Sequence, residues 1–169
     1  MSQSLSKIWT HLIFSTKDRY PFLSDKSVRR DMHAYLASIL KANHCPTLVV
    51  GGVADHVHSL FVLSKNHSIA SIVWAIKRSS SKWVKGQGAS LKKFHWQEGY
   101  GAFSVSASQT NDVIRYIENQ PSHHAKRNYE EEFLNLLKKY GVPYDPVHVL
   151  GLIGRPSGTL SGFRSLTHR

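Results

Sequence analysis

Two short stretches hold side chains able to do chemistry. In Asp55-His56-Val57-His58-Ser59-Leu60-Phe61, one apolar residue separates two histidines. On an extended strand alternate side chains share a face, so His56 and His58 project together while Val57 projects the other way. Paired imidazoles at this spacing form a bidentate site for a divalent metal, although an ordinary pair of sheet-surface histidines gives the same pattern. The second stretch is Tyr116-Ile117-Glu118-Asn119-Gln120. On a helix, Tyr116 and Gln120 lie on one face about a turn apart. Tyrosine offers a phenolic nucleophile and glutamine a neutral oxygen ligand. Taken alone, a tyrosine beside Val113 and Ile117 reads better as a core aromatic.

The elements that must carry these groups follow from periodicity. Ile8 to Thr16 reads as a strand. Ser24 or Asp25 caps a helix to about Asn43, with Val28, Met32, Tyr35, Leu36, Ile39 and Leu40 on one face. Strands follow over Thr47 to Val50 and His56 to Leu63, with Gly51-Gly52 as the turn signal. Ser68 caps a helix bearing Ile69, Ile72, Val73 and Ile76, and a loop runs from Lys85 to Ser90. Phe94 to Trp96 and Ala102 to Val105 are strand pieces. A third helix runs from near Ser108 or Thr110 to about Gln120, and a fourth from about Arg127 to Tyr140 before Gly141-Val142-Pro143. The order β-α-β-β-α-β suggests an α+β, ferredoxin-like antiparallel sheet with helices on one face, plus an additional helix carrying the tyrosine. Residues 1–146 form one domain, and 147–169 a basic Gly-, Ser- and Arg-rich tail.

Composition narrows the partner. The chain has 169 residues, 22 Lys and Arg against 11 Asp and Glu, and a net charge of +11, a surplus that suits a polyanion such as nucleic acid. No acid stands between Asp55 and Glu98, where Lys65, Lys77, Arg78, Lys82, Lys85, Lys92 and Lys93 accumulate. With Trp83 or Trp96 available to stack on a base, Lys77 to Lys93 is the candidate DNA-binding stretch. The same cations also suit a solvated helix C-terminus. One cysteine, Cys45, excludes a disulfide framework within the chain and a cysteine-based zinc finger. No GxxxxGK[ST] or GxGxxG motif supports a nucleotide cofactor. No run long enough to span a bilayer and no signal-peptide pattern is present, so the expectation is a soluble cytoplasmic protein without a membrane partner.

Taken together, the ordered motifs are more specific than any one of them. His11-Leu12-Ile13-Phe14-Ser15-Thr16-Lys17, Gly51-Gly52-Val53-Ala54-Asp55-His56-Val57-His58, Ser79-Ser80-Ser81-Lys82-Trp83, Gly99-Tyr100-Gly101-Ala102-Phe103-Ser104-Val105 and Tyr116-Ile117-Glu118-Asn119-Gln120 occur in sequence. The series resembles the single-tyrosine HUH transposases of bacterial insertion sequences, the IS200-like family, over about residues 8 to 146. The resemblance implies a central His-hydrophobe-His strand facing the tyrosine helix. It implies Mg2+ or Mn2+ held by His56, His58 and Gln120, and a Tyr116 that attacks a phosphodiester in single-stranded DNA with hairpin ends. The products would be a 5′-phosphotyrosine link and a free 3′-hydroxyl, which later rejoins a strand. A homodimer is implied as well. His123 and His124 lie near in sequence, but as a pair after a helix end they read first as surface histidines.

Other readings account for less. An RNA-binding domain of the RRM kind shares the element order, but Glu98 stands where its aromatic strand motif wants Lys or Arg, and the His pair goes unexplained. A domesticated relative that processes repeated palindromes would use the same chemistry, and a hydrolytic nuclease would use water in place of Tyr116. A histidine-triad hydrolase would need a third histidine where Leu60 stands, and HExxH is absent.

Overall fold

A computed structural model describes residues 5–124, 128–146 and 149. Strand β1 (Ile8–Ser15) leads to helix α1 (Lys26–Ala42), the hairpin β2 (Thr47–Gly52) and β3 (His56–Leu63), helix α2 (Ile69–Lys85) and strand β4 (Gly101–Val105). The helices α3 (Thr110–Glu118), α4 (Gln120–His124) and α5 (Tyr129–Lys139) follow. The strands form one antiparallel sheet in the order β2-β3-β1-β4, so the strand with the two histidines is central. This is the ferredoxin-like arrangement expected from the sequence.

Local chemistry explains the elements. The Asp25 carboxylate accepts from the backbone N–H groups of Ser27 and Val28 at 2.8 and 3.1 Å and opens α1. The Ser68 hydroxyl accepts from Ser71 N–H at 3.2 Å and opens α2. Gly52, at φ +143°, turns the chain between β2 and β3, where a Cβ would sit 2.3 Å from the His56 carbonyl oxygen. Only glycine makes that turn without displacing His56.

Alternation along the strands divides the molecule into two layers over one sheet. Leu12 and Phe14 of β1 join Val57 and Phe61 of β3 in a core closed by Met32, Leu36 and Leu40 of α1 and Ile72 and Ile76 of α2. The opposite face carries Ile13 and Phe103 under Phe133 and Leu136 of α5, and Leu60 and Val105 under Val113 and Ile117 of α3. His56 and His58 share the face of Leu60, so the sheet's alternation delivers them to the α3 and α5 side.

Three boundaries differ from the sequence reading. Phe94 to Trp96 is no strand: Trp96 makes one isolated bridge to Thr16, and its ring sinks against Phe14 and Phe94. The helix expected to reach Gln120 stops at Glu118 with Asn119 as its cap, and Gln120 opens α4. Pro121 causes the break, because it has no N–H for the Ile117 carbonyl and its ring would collide with it. The last helix begins at Tyr129, because Asn128 caps it by accepting from Glu131 N–H at 2.9 Å. The tail expected over 147–169 lies outside the described residues apart from Val149, which is buried.

Candidate active site

His56 and His58 are fully buried, and each is gripped at Nδ1. The Asp55 carboxylate lies 2.7 Å from His56 Nδ1, and His11 Nε2 lies 3.0 Å from His58 Nδ1. Both Nε2 atoms face inward to one point. His56 Nε2 stands 3.3 Å from Gln120 Oε1 and 3.5 Å from Glu132 Oε2, and His58 Nε2 stands 3.6 Å from Glu132 Oε1.

The donor set fits a cation. With the His56 Nδ1–H donating to Asp55, its Nε2 presents a lone pair to an amide oxygen and a carboxylate, all of them acceptors. His58 Nε2 is buried without a hydrogen-bond partner. The ligand atoms of His56, His58 and Glu132 lie within 4.8 Å of one another. Burial lowers the His58 imidazole to about 4, against the opposing pull of the Glu132 carboxylate, and keeps it neutral, the form that ligates metal. Burial alone would raise the Glu132 carboxyl, yet its contacts with His124 and His58 hold it well below the usual carboxylate range.

The tyrosine arrives from α3. Gly51 of β2 makes the approach possible, since a Cβ there would meet the Cγ2 and carbonyl oxygen of Ile117 at 2.8 Å. One residue earlier, the half-buried Tyr116 lays its ring against His58, with centroids 5.8 Å apart at 82°. Its hydroxyl donates to Glu132 Oε1, and the Gln120 amide donates to the same oxygen at 2.8 Å. His124 Nε2 contacts Glu132 Oε2 at 2.8 Å. Thus Tyr116, Gln120, His56 and His58 meet within a single chain, despite the break in the helix. A cavity of about 250 Å3 opens beside them, lined by His11, Asp112, Tyr116, Asn135 and Lys139 among others.

A family model described as "Transposase IS200 like" matches residues 4–120. The chain belongs to the IS200-like transposase family. Among solved structures, a candidate transposase from Deinococcus radiodurans R1 is 27% identical with a TM-score of 0.57, covering 71% of this chain and 98% of that one. A REP-associated tyrosine transposase bound to a REP hairpin is 15% identical with a TM-score of 0.52, covering 73% of this chain and 74% of that one, and shares the fold. A search of curated proteins finds no match.

Glu132 is the member of this IS200-like site that sequence reasoning missed. Glu130, Glu131 and Glu132 together look like first-turn acids that favour a helix N-terminus. The signal that distinguishes Glu132 is its place on the buried stripe Tyr129, Phe133, Leu136, where an acid is unexpected without a partner.

The basic stretch is not gathered around the His pair. Helix α2 packs on the other face of the sheet. Arg78, Lys82, Lys92 and Lys93 are exposed there, and Lys85 is half-buried. Lys77 is committed to the fold: its ammonium donates to the carbonyls of Gln97, at 2.8 Å, and Gly99. Burial lowers it to about 8. Trp83 stacks on Tyr35 at 5.3 Å and 19°, and Trp96 donates its indole N–H to Ser80 Oγ at 2.9 Å. Trp74 is exposed on this face, with the Arg78 guanidinium 4.8 Å from its ring centre. Among the described residues no helix is long and apolar enough to cross a membrane.

Proposed function

We propose that this IS200-like chain is a metal-dependent single-stranded DNA transposase with Tyr116 as nucleophile. The observation that carries the proposal is the meeting of the Tyr116 hydroxyl with the inward Nε2 atoms of His56 and His58 around Glu132. His56, His58 and Gln120, with Glu132 added by the geometry, are the residues to hold Mg2+ or Mn2+. Such a cation would polarise the scissile phosphate as a Lewis acid.

The protein's own groups do the rest. Glu132 orients the phenol and receives its hydrogen bond at Oε1, which places an acceptor for the proton. Tyr116 Oη attacks phosphorus, the bond to the 3′-oxygen breaks, and the proton given up by the phenol ends on that oxygen, so that a 3′-hydroxyl leaves behind a 5′-phosphotyrosine link. Bond energy is retained, so a 3′-hydroxyl can reverse the step and join a new strand without a nucleotide cofactor. The hairpin held by the structural neighbour gives the substrate class to test, single-stranded DNA with hairpin ends. Arg78, Lys82, Lys85, Lys92 and Lys93 are the proposed backbone contacts, and a homodimer is the proposed assembly.

The test is a denaturing-gel assay with Mn2+ and single-stranded DNA from the flanks of the gene. A protein–DNA adduct that survives SDS, needs metal and vanishes in Tyr116→Phe and His56→Ala is the expected result. Metal-dependent cutting without an adduct would instead indicate a hydrolytic nuclease.

A further inference from the structure

His11 lies on β1, two residues from the one that pairs with His58 and on the same face: Ile13 pairs with His58, and His11 with Leu60. It is 1% exposed, on the sheet face that carries Ile13, Leu60 and Phe103 beside His56 and His58. A purely structural role would favour an aliphatic side chain there, since a buried imidazole must find partners for its polar atoms. Its partner is His58, with Nε2 3.0 Å from His58 Nδ1 and the rings stacked at 5.3 Å and 24°. Tyr116 also lies beside it, edge-on at 6.2 Å and 80°, as does Phe103 at 6.3 Å. His11 therefore touches both a metal-ligating candidate and the nucleophile.

The hydrogen-bond arithmetic is restrictive. A neutral imidazole has one N–H and one lone pair. His58 can hold a cation at Nε2 only when its proton sits on Nδ1, and that proton must then be accepted by His11 Nε2. His11 must in turn carry its own proton on Nδ1. Asp55, which orients His56, is a carboxylate and can only accept. His11 can donate or accept, so the His58 half of the site depends on which nitrogen of His11 is protonated.

We propose that His11 is a positioning residue that fixes His58 in its metal-binding tautomer. This rests on the reading of His56 and His58 as metal ligands. It assigns a task to a residue outside the His-hydrophobe-His and tyrosine motifs.

The experiment is a Mn2+ titration of wild-type protein, His11→Leu, His11→Gln and His56→Ala, read as the free ion by electron paramagnetic resonance. Partners that orient a ligating histidine change metal affinity by about 10- to 100-fold when removed, and a weakening of that order is expected for His11→Leu. His11→Gln, whose amide oxygen can accept from His58 Nδ1, should lie closer to wild type. A folded His11→Leu that binds Mn2+ as wild type does overturns the proposal. Should His11→Leu fail to fold, nitrogen NMR of histidine-labelled wild-type protein with Mg2+ decides. A proton on His58 Nδ1 and none on His11 Nε2 supports the assignment, and a proton on His11 Nε2 overturns it. If wild-type protein and His56→Ala bind Mn2+ equally poorly, the metal-site reading itself falls and this inference with it. That outcome is distinct from failure of His11 alone.

Discussion

The Tyr116 hydroxyl and Glu132 share a hydrogen bond at Oε1, the oxygen that also accepts from the Gln120 amide and faces His58 Nε2. One carboxylate thus holds the proposed nucleophile and borders the proposed metal-ligating atoms. Two substitutions separate these jobs. Glu132→Gln leaves an oxygen for the phenol but removes the charge, so adduct formation should fall and recover as Mn2+ is raised to saturation. Glu132→Ala removes both, and its rate should stay about 100-fold down at saturating Mn2+, as expected for a misplaced nucleophile. Equal recovery of both variants would show that the phenol needs no support from Glu132.

Because Tyr116 and the His pair meet within one chain, two defective chains should not repair each other. Mixing Tyr116→Phe with His56→Ala should give no more adduct on a denaturing gel than either alone. The tight seat of Ile117 on Gly51 is the reason: a swapped α3 would have to find the same glycine on a second copy. Recovered adduct in the mixture would establish that exchange.

Metal-free protein should lose stability on mild acidification. Burial, the largest cause, lowers His58 to about 4 and His11 to about 3, and His33 on α1 is likewise lowered to about 4. Unfolded histidines titrate near about 6.5. Between about 6.5 and about 4 the unfolded chain binds protons that the folded chain refuses, so stability falls as pH falls through that window. Glu132, lowered from its usual range, adds to the loss below about 4.5. Thermal midpoints over this range should drop steadily, and His11→Leu should flatten the slope. A slope unchanged in that variant would remove His11 from the explanation.

Neighbouring cations on α2 should behave differently from each other. Lys77→Ala leaves the carbonyls of Gln97 and Gly99 without their donor, and should cost about 1–3 kcal/mol in urea unfolding. Arg78→Ala should leave stability within about 0.5 kcal/mol. If Arg78 contacts a phosphate, it should also reduce the salt dependence of single-stranded DNA binding by about 0.7 in the log–log slope. An unchanged slope would place the DNA elsewhere.

Much of the site was legible because strand alternation is a strict rule. The spacing of His56 and His58 fixed their common face, and Asp25, Ser68 and Asn43 marked helix ends by their hydrogen-bonding chemistry. The break between Tyr116 and Gln120 was harder to read, although Pro121 was its visible cause. Glu132 was hidden because its role arises only when α5 folds back over the sheet, a long-range contact that no local period encodes. Phe94 to Trp96 looked like a strand because the apolar run was real, but it is buried as a plug over Phe14 without a ladder. His11 could be placed on a strand, but its partner required the β1–β3 register.

The central place of β3 has a consequence for how the site comes apart. Its backbone is hydrogen-bonded to β2 on one side and β1 on the other, so exchange of its amides with solvent demands opening of the sheet itself. Helix α5 rests on one face by side-chain packing and can lift away at lower free energy. Breathing motions would therefore release Glu132 long before they disturb the spacing of the two imidazoles. The half of the site on β3 would keep its geometry while the half on α5 loosened.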